Sequence, residues 1–518
     1  MRFSSTTNRR DLLLAGAGML AGCASPPNDP PAGSAETDAQ FRQLVERLGE
    51  RPRRTRAFML RRFDPSQLTP EGRILYEAVL PGAEADAALA ARVWGANGLP
   101  YAVTHRYGAY RRAGELREDD EPRRIARAVH DDTNQLEGDA RRGVIAPNFL
   151  LDAAIASVEA SATRVVAAGE QQENVANALV RQLETLRALQ QRAHSEPGVW
   201  RLPDGDTFYA QTLQFHFGAR IDPQEAHERA LTRARELQSE ADVLLHGYGL
   251  TRGSVAERLR ALAADPRHRI ADEPAKEFAL QRMQARLART RTLIADAIEG
   301  AAEAPAEAHR LPAEQEAEGA AGYRRGVRYF VDLSGGRAAW TLGSVVHHEL
   351  IPGHILQAPY EPLAGAPELQ LRYAQGYGEG WATYAEQLAD DLGAFADDPL
   401  DRLGYLQWML FRMARVVADT GMHAMRWSRT HAMEQVRALQ GESIAFVSIE
   451  DDIDRLAAQP GVHAAQGLMA LHIAELRERT RRAAGNAFSL PRFHNAVLRY
   501  GPLSPPGLDQ AAHAAFAV

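Results

Sequence analysis

Residues 343–357 read GSVVHHELIPGHILQ, and the Pro352-Gly353 pair inside that run constrains the fold more than any other feature of the chain. His348 and Glu349 begin an H-E-x-x-H pattern, in which two histidines four apart share one face of a helix and bind a zinc ion. Here the fifth position is Pro352, and the next histidine, His354, comes two residues late. Residues six apart on an unbroken α-helix are turned by roughly 240° and separated by about 9 Å along the axis. His347 and His354, seven apart, share a face but lie about 10 Å from each other. Neither pair reaches one ion from a straight helix, because ligand atoms must sit about 2.0 Å from the metal. Proline removes a helical N–H and clashes with the preceding turn, while glycine permits unusual dihedrals. The sequence therefore requires a break that makes His348 and His354 converge, or there is no metal site here and the three histidines are ordinary polar residues of a helix. With the break, Glu349 keeps the place of a general base beside His348.

Such a site needs a third ligand. The segment YAQGYGEGWATYAEQLADDLG offers Glu379, between Gly378 and Gly380 at the start of a second helix, 25 residues after His354. Trp381, Tyr384 and Leu388 repeat at helical spacing behind it. The flanking glycines are expected to let this backbone approach the histidine helix. Glu386, two turns on, suits a carboxylate that orients a ligating histidine. The competing reading of Glu379 is a simple acidic residue at a helix N-terminus.

The rest of the chain reads as helix. Phe41, Leu44, Val45 and Leu48 stand at helical intervals, Asp222-Pro223 is an N-cap followed by proline at the first helical position of a segment ending near Gly247, and 273–300 is another long helix. The best strand signal is YRRGVRYFVDLSGG, a small β element over 327–333 in which Val327, Tyr329 and Val331 alternate with Arg328 and Phe330, and which Gly335-Gly336 closes. The Ala/Glu/Pro-rich stretch before it reads as a surface connection and as a division between an N-terminal helical half, 38–310, and a catalytic half, 311–518, of one intertwined, mostly α-helical domain. No repeat of 20 to 50 residues favours a solenoid.

The N-terminus reads as a targeting segment. Arg9-Arg10 precede a short apolar run, as in Tat signals, and Leu20-Ala21-Gly22-Cys23 has the form of a lipobox whose cysteine receives a lipid. Residues 1–23 are then the signal and 24–37 a Pro/Gly/Ser-rich tether. The implied location is a bacterial cell envelope, on the periplasmic side, anchored to either membrane by a lipid on Cys23. Cys23 is the single cysteine of the 518 residues, so no intramolecular disulfide forms. A net charge of −7 without a basic stripe argues against nucleic acid as a partner.

The combination His348-Glu349-x-x-Pro352-Gly353-His354 with Glu379-Gly380-Trp381-Ala382 and Tyr384-Ala385-Glu386 resembles the bacterial family known as domain of unknown function 885, which looks like a distant relative of the helical zinc peptidases of the thimet oligopeptidase and Taq carboxypeptidase type. The resemblance extends over most of the mature chain, through GVIAPNFLLD (143–152), GVWRLPDGDTFYAQTL (198–213), ARVVADTGMHAMRWS (414–428) and FHNAVLRYGPLSP (493–505). It implies a mostly α-helical fold with a deep central cleft, one zinc ion on His348, His354 and Glu379, and Glu349 as base. It supplies no substrate. One departure stands out: where the family pattern has a Tyr-Lys pair after Pro460-Gly461, this chain has Gln466-Gly467.

The reaction this implies is hydrolysis of short peptides by a zinc-activated water. His463 or His423 is expected to donate to the oxyanion in place of the missing tyrosine. Asp419 lies four residues before His423 on one helix face, so it either orients that histidine toward substrate or forms a structural pair with it. Arg415 either clamps a substrate carboxylate or serves as an ion-pair partner. Tyr384 belongs with Glu386 among the residues around the ligands. A zinc hydrolase of another amide or ester, and a degenerate peptidase-like lipoprotein that binds peptides or envelope partners, are the competing functions; Glu349 favours an enzyme, Gln466-Gly467 the binder.

Overall fold

The computed structural model describes residues 33–517, apart from 97, 116–119, 170–171, 335 and 443–446. The signal, Cys23 and most of the expected tether lie outside the described residues. Among those described, no helix is long and apolar enough to cross a membrane.

The fold is mostly α, as expected, and its axis is the helix Pro399–His423. Asp398 caps it and Pro399 opens it; from Leu403 to His423 every side chain is buried, so other elements surround it on all sides. The helix Pro223–Gly247 runs along it. Asp222 accepts from the N–H groups of Gln224 and Glu225, which fixes that start where Asp-Pro predicts it. Ala226, Ala230, Ala234 and Ala241 form a fully buried small-residue stripe on the companion helix. Their short side chains permit close approach of the two backbones. The helix Glu273–Ile294 starts where expected and ends a turn and a half early.

The small β element is real but larger than the alternation suggested. Strands β1 (Glu307–Arg310), β2 (Tyr323–Arg325) and β3 (Arg328–Val331) form one sheet in the order β1-β3-β2, parallel on one side and antiparallel on the other. The Ala/Glu/Pro-rich stretch read as a surface connection thus supplies β1, and also the buried Glu316. Hydrogen bonds from Arg310, together with Lys276, hold the Glu316 carboxyl down at about 2 despite its burial. Lys276, the single lysine of the chain, therefore fastens this segment to the helix behind it.

Buried apolar side chains form two clusters that meet near residue 215, not near 310. One gathers residues from Phe41 to Phe215 with Leu369, Tyr373, Ala457 and Ala458 added. The other spans Leu213 to Phe516 and takes in Ile74 and Ala78. The chain crosses between them because helix Pro70–Leu89 packs against the C-terminal helix Pro505–Phe516. The second cluster surrounds the histidine motif.

The alanine stripe gives a test of this arrangement. Ala234→Leu inserts three carbons where the side chain has no exposed surface, and should cost about 1–3 kcal/mol, read as a lowered Tm with unchanged helical circular dichroism below the transition.

Candidate metal centre

The helix that carries the motif does break, and it does so over a longer stretch than a Pro-Gly bulge. An α-turn, Leu342–Val345, passes into one π turn, Val346–Leu350. Ile351 is extended, the Ile351–Pro352 peptide is cis, and helix resumes at His354–Gln357. The π turn widens the coil and leaves His348 and Glu349 on its last residues. Gly353 makes the reversal possible: a Cβ at this position would sit 1.9 Å from the carbonyl oxygen of His348 and 2.4 Å from that of His347. The indole of Trp381 donates to the Pro352 carbonyl at 2.9 Å and ties the break to the second helix, Tyr377–Asp391.

His348 and His354 consequently face each other, with ring centroids 4.9 Å apart and planes at 88°. Glu379, in the first turn of the second helix, reaches between them: one oxygen is 3.4 Å from His348 Nε2 and the other 3.4 Å from His354 Nε2. Donor atoms around a tetrahedral zinc lie roughly 3.3 Å apart when each bond is about 2.0–2.1 Å. His348, His354 and Glu379 present one ligand atom each within 4.8 Å of one another, and His354 Nε2 is buried with no hydrogen-bond partner. The donor set and its spacing fit one zinc ion.

Glu386 stands where the sequence placed it. It accepts from His348 Nδ1 at 2.8 Å and from Ser344 Oγ, so its two oxygens lock the ring with Nε2 turned toward His354 and Glu379. Burial and the neighbouring Arg412 oppose a charge on His348, but the carboxylates of Glu379 and Glu386 outweigh them and push it up to about 9. Burial works against ionisation of Glu379, yet its two histidines hold it well below the usual carboxylate range. His347 points the other way, edge-on against Phe395, and burial lowers it to about 3. It is a core residue.

The two carboxylates and His348 open into a cavity whose other walls include Tyr329, Trp408, Phe411, Arg412, Arg455, His463 and Gln466. Glu349 lines it, with its carboxylate paired to Arg324 on strand β2. Gln466 therefore faces this cavity at the position of the departure from the family pattern, with its side-chain amide 3.2 Å from His463 Nδ1. Gly467 belongs to the packing against the central helix: a Cβ there would meet Val416 at 2.6 Å.

Several expected site residues are elsewhere. His423 is not catalytic in this geometry: it is buried, its Nδ1 accepts from the Val199 N–H and its Nε2 donates to the Leu456 carbonyl, both at 3.2 Å, so no nitrogen remains for substrate. Asp419 does not orient it. That carboxyl accepts from Tyr209 at 2.6 Å and from the Gly461 N–H, and burial lifts it to about 7. Tyr384 donates to His494 at 2.8 Å inside the core, which directs it away from the ligands. Of the two readings of Arg415, the ion pair is the one seen: it holds Asp452 with two bonds at 2.8 and 2.5 Å. Gly380 makes room for Met469 of the helix Val462–Ala484, where a Cβ would stand 2.4 Å away, and not for the histidine helix. Several cavity residues escaped the sequence analysis, among them Arg412, Arg455, Tyr329, Trp408 and Phe411. Arg412 lies 3.2 Å from His348 Nε2, and Tyr329 carries its ring into the cavity from β3. Arg412 gives no motif signal, being one of many arginines; Tyr329 was visible only as a strand position.

The model of a family described as bacterial protein of unknown function, DUF885, matches residues 27–511. Among solved structures, one described as a "putative lipoprotein" from Colwellia psychrerythraea superposes with a TM-score of 0.74 at 21% identity, covering 94% of this chain and 92% of its own. A second, a lipoprotein of unknown function by the same kind of description from Shewanella oneidensis, gives 0.66 at 16% identity, with 93% of each chain covered. These likenesses show the fold. No curated protein matches.

Two outcomes follow from this geometry. Gly353→Ala should leave the helical spectrum in place but weaken zinc binding at least about tenfold, measured by titration with a chromogenic competitor, because the added carbon displaces the His347 and His348 carbonyls. Asp419 has a folded pKa raised above its unfolded value near 3.9, so its contribution to stability is fully present below about pH 4 and is lost as pH rises through about 7. Asp419→Asn should flatten Tm against pH across that window; an unchanged slope would assign the dependence to other groups.

Proposed function

The chain belongs to the DUF885 family of bacterial proteins, and from that premise we propose that it is an envelope zinc hydrolase that cleaves peptide bonds in short peptides. The observation that supports this reading is the convergence of His348 Nε2, His354 Nε2 and the Glu379 carboxylate at the wall of a cavity that also holds an uncoordinated carboxylate, Glu349. A purely structural zinc site is closed by four protein ligands, whereas three ligands beside a carboxylate that is not one of them leave a position for water or substrate.

A zinc ion in this place supplies Lewis-acid polarisation of a carbonyl and a water of lowered pKa. The chain's own residues supply the rest. Glu386 keeps the His348 ring oriented and raises its basicity as a ligand. Glu349 takes the proton of the attacking water and returns it to the leaving amine. Its carboxylate is freed for that step when Arg324, on the exposed edge strand, lets go. Arg412 and the Tyr329 hydroxyl stand in the cavity as donors for the developing oxyanion, in the role that Gln466 replaces in the family pattern. Trp408 and Phe411 give the cavity an apolar wall on which a side chain of the substrate rests.

Export by the Tat route and attachment through a lipid on Cys23 belong to the same proposal, supported by the Arg9-Arg10 and Leu20-Ala21-Gly22-Cys23 motifs and by the lipoprotein descriptions of the two structural neighbours. Tat transport suits a protein that acquires its metal before export.

The reading is tested by metal content and by digestion. Purified wild type should carry one zinc per chain and His354→Ala far less; equally negligible zinc in both would sink it. With a peptide mixture as substrate, Glu349→Gln should reduce turnover about 10²-fold or more while retaining zinc. Unchanged digestion by that variant removes Glu349 from the mechanism, and zinc without any digestion leaves a peptide-binding protein.

A further inference from the structure

Four arginines line the cavity, and they are not equally partnered. Arg415 is satisfied by Asp452, and Glu349 is paired with Arg324 from outside the wall. Arg455 is different. It lines the cavity from the helix Ile449–Ala458, its Nε is buried without a partner, and the nearby Asp452 is already taken. Arg412 Nε and His463 Nε2 on the same wall are also buried and unpartnered, as is Arg337 Nε. Arg412 is only 9% exposed. Native proteins leave few buried donors unmet, and a guanidinium that has lost its water without gaining an acceptor is among the costliest to keep. Burial, reinforced by the charges of Arg106 and Arg415, disfavours the cationic form of Arg455, so the protein holds this charge against its own electrostatics.

We infer that Arg455, with His463 beside it, is a subsite for a carboxylate of the substrate. This rests on the peptide reading above and adds a requirement to it: the peptide must carry an anion on the side that enters this wall. A carboxylate suits the donors because its two planar oxygens match the fork of a guanidinium. His463 completes the set only in the tautomer with its hydrogen on Nε2, for which the Gln466 side chain turns its NH2 group to Nδ1. That tautomer turns a donor to the cavity beside the Arg455 guanidinium. The subsite would fix the register of the chain relative to His348 and Glu379, which is how a remote charge contributes to positioning the bond to be cut. The carboxylate has two sources, the C-terminus of the peptide or an acidic side chain.

The experiment reads binding and does not depend on hydrolysis. The full chain, as purified, is titrated calorimetrically with N-acetyl-Ala-Ala-Phe, with its C-terminal amide, and with N-acetyl-Ala-Glu-Phe amide. At least one of the two anionic peptides should bind ten times or more tighter than the neutral amide, and which one does so identifies the source. Arg455→Gln should abolish the difference and Arg455→Lys should restore part of it, with Tm values confirming that both fold. Equal affinity for all three peptides, no binding of any, or a preference that survives Arg455→Gln overturns the inference. Zinc-dependent digestion that ignores the anion would leave the peptidase reading standing and remove this one; anion-selective binding without digestion does the reverse.

Discussion

The candidate site depends on one close approach, the backbone of Gly353 lying against the carbonyls of His347 and His348. A helix cannot bring residues six apart onto one point, so the chain must stop being a helix between them and start again. The π turn, the extended Ile351 and the restart at His354 do this, and Gly353 permits it because no side chain intervenes. Trp381 then fixes the break by bonding to the Pro352 carbonyl, and Trp381 sits two residues after Glu379 on the same helix. The third candidate ligand is thereby tied in position to the first two. The central helix closes the arrangement from behind, placing Arg412 beside His348.

Electrostatics sets His348 apart from the other buried histidines. His347, His423 and His494 are fully buried, and burial favours their neutral forms. His348 is as buried, yet two carboxylates reverse the preference. The difference lies in partners and not in depth. The same reasoning marks Arg455: the ion pair of Arg415 with Asp452 explains itself within the fold, whereas a cavity arginine with a buried, unpartnered nitrogen points outward to a ligand.

Much of the site was legible in sequence because its constraints are local. The impossibility of a straight helix between His348 and His354 follows from helical geometry alone, and the carboxylate roles expected of Glu379 and Glu386 agree with their positions. Asp222-Pro223 gave a helix start that the capping bonds reproduce. Glycines were less informative: Gly380 makes room for Met469 and not for the helix expected, because a missing side chain says that something is close without saying what. The Ala/Glu/Pro-rich stretch misled for a related reason, since the ion pairs that bury Glu316 come from Arg310 and from Lys276, forty residues away.

The sequence by itself determined that this chain is helical, that the helix of the histidine motif must break at Pro352-Gly353 if His348 and His354 are to meet, and which carboxylates and imidazoles are candidates to be brought together. Those conclusions rest on spacing along one or two helices, where geometry is fixed by the backbone. Only the tertiary structure decided that His423 and Asp419 face the core, that Arg415 is consumed by Asp452, and that Arg412, Arg455 and Tyr329 share the cavity with Glu349. Which way a side chain faces depends on what packs against its helix from every direction. On a central helix buried all round, no face is marked by polarity as the outer one, so the pattern of residues along it carries no such information.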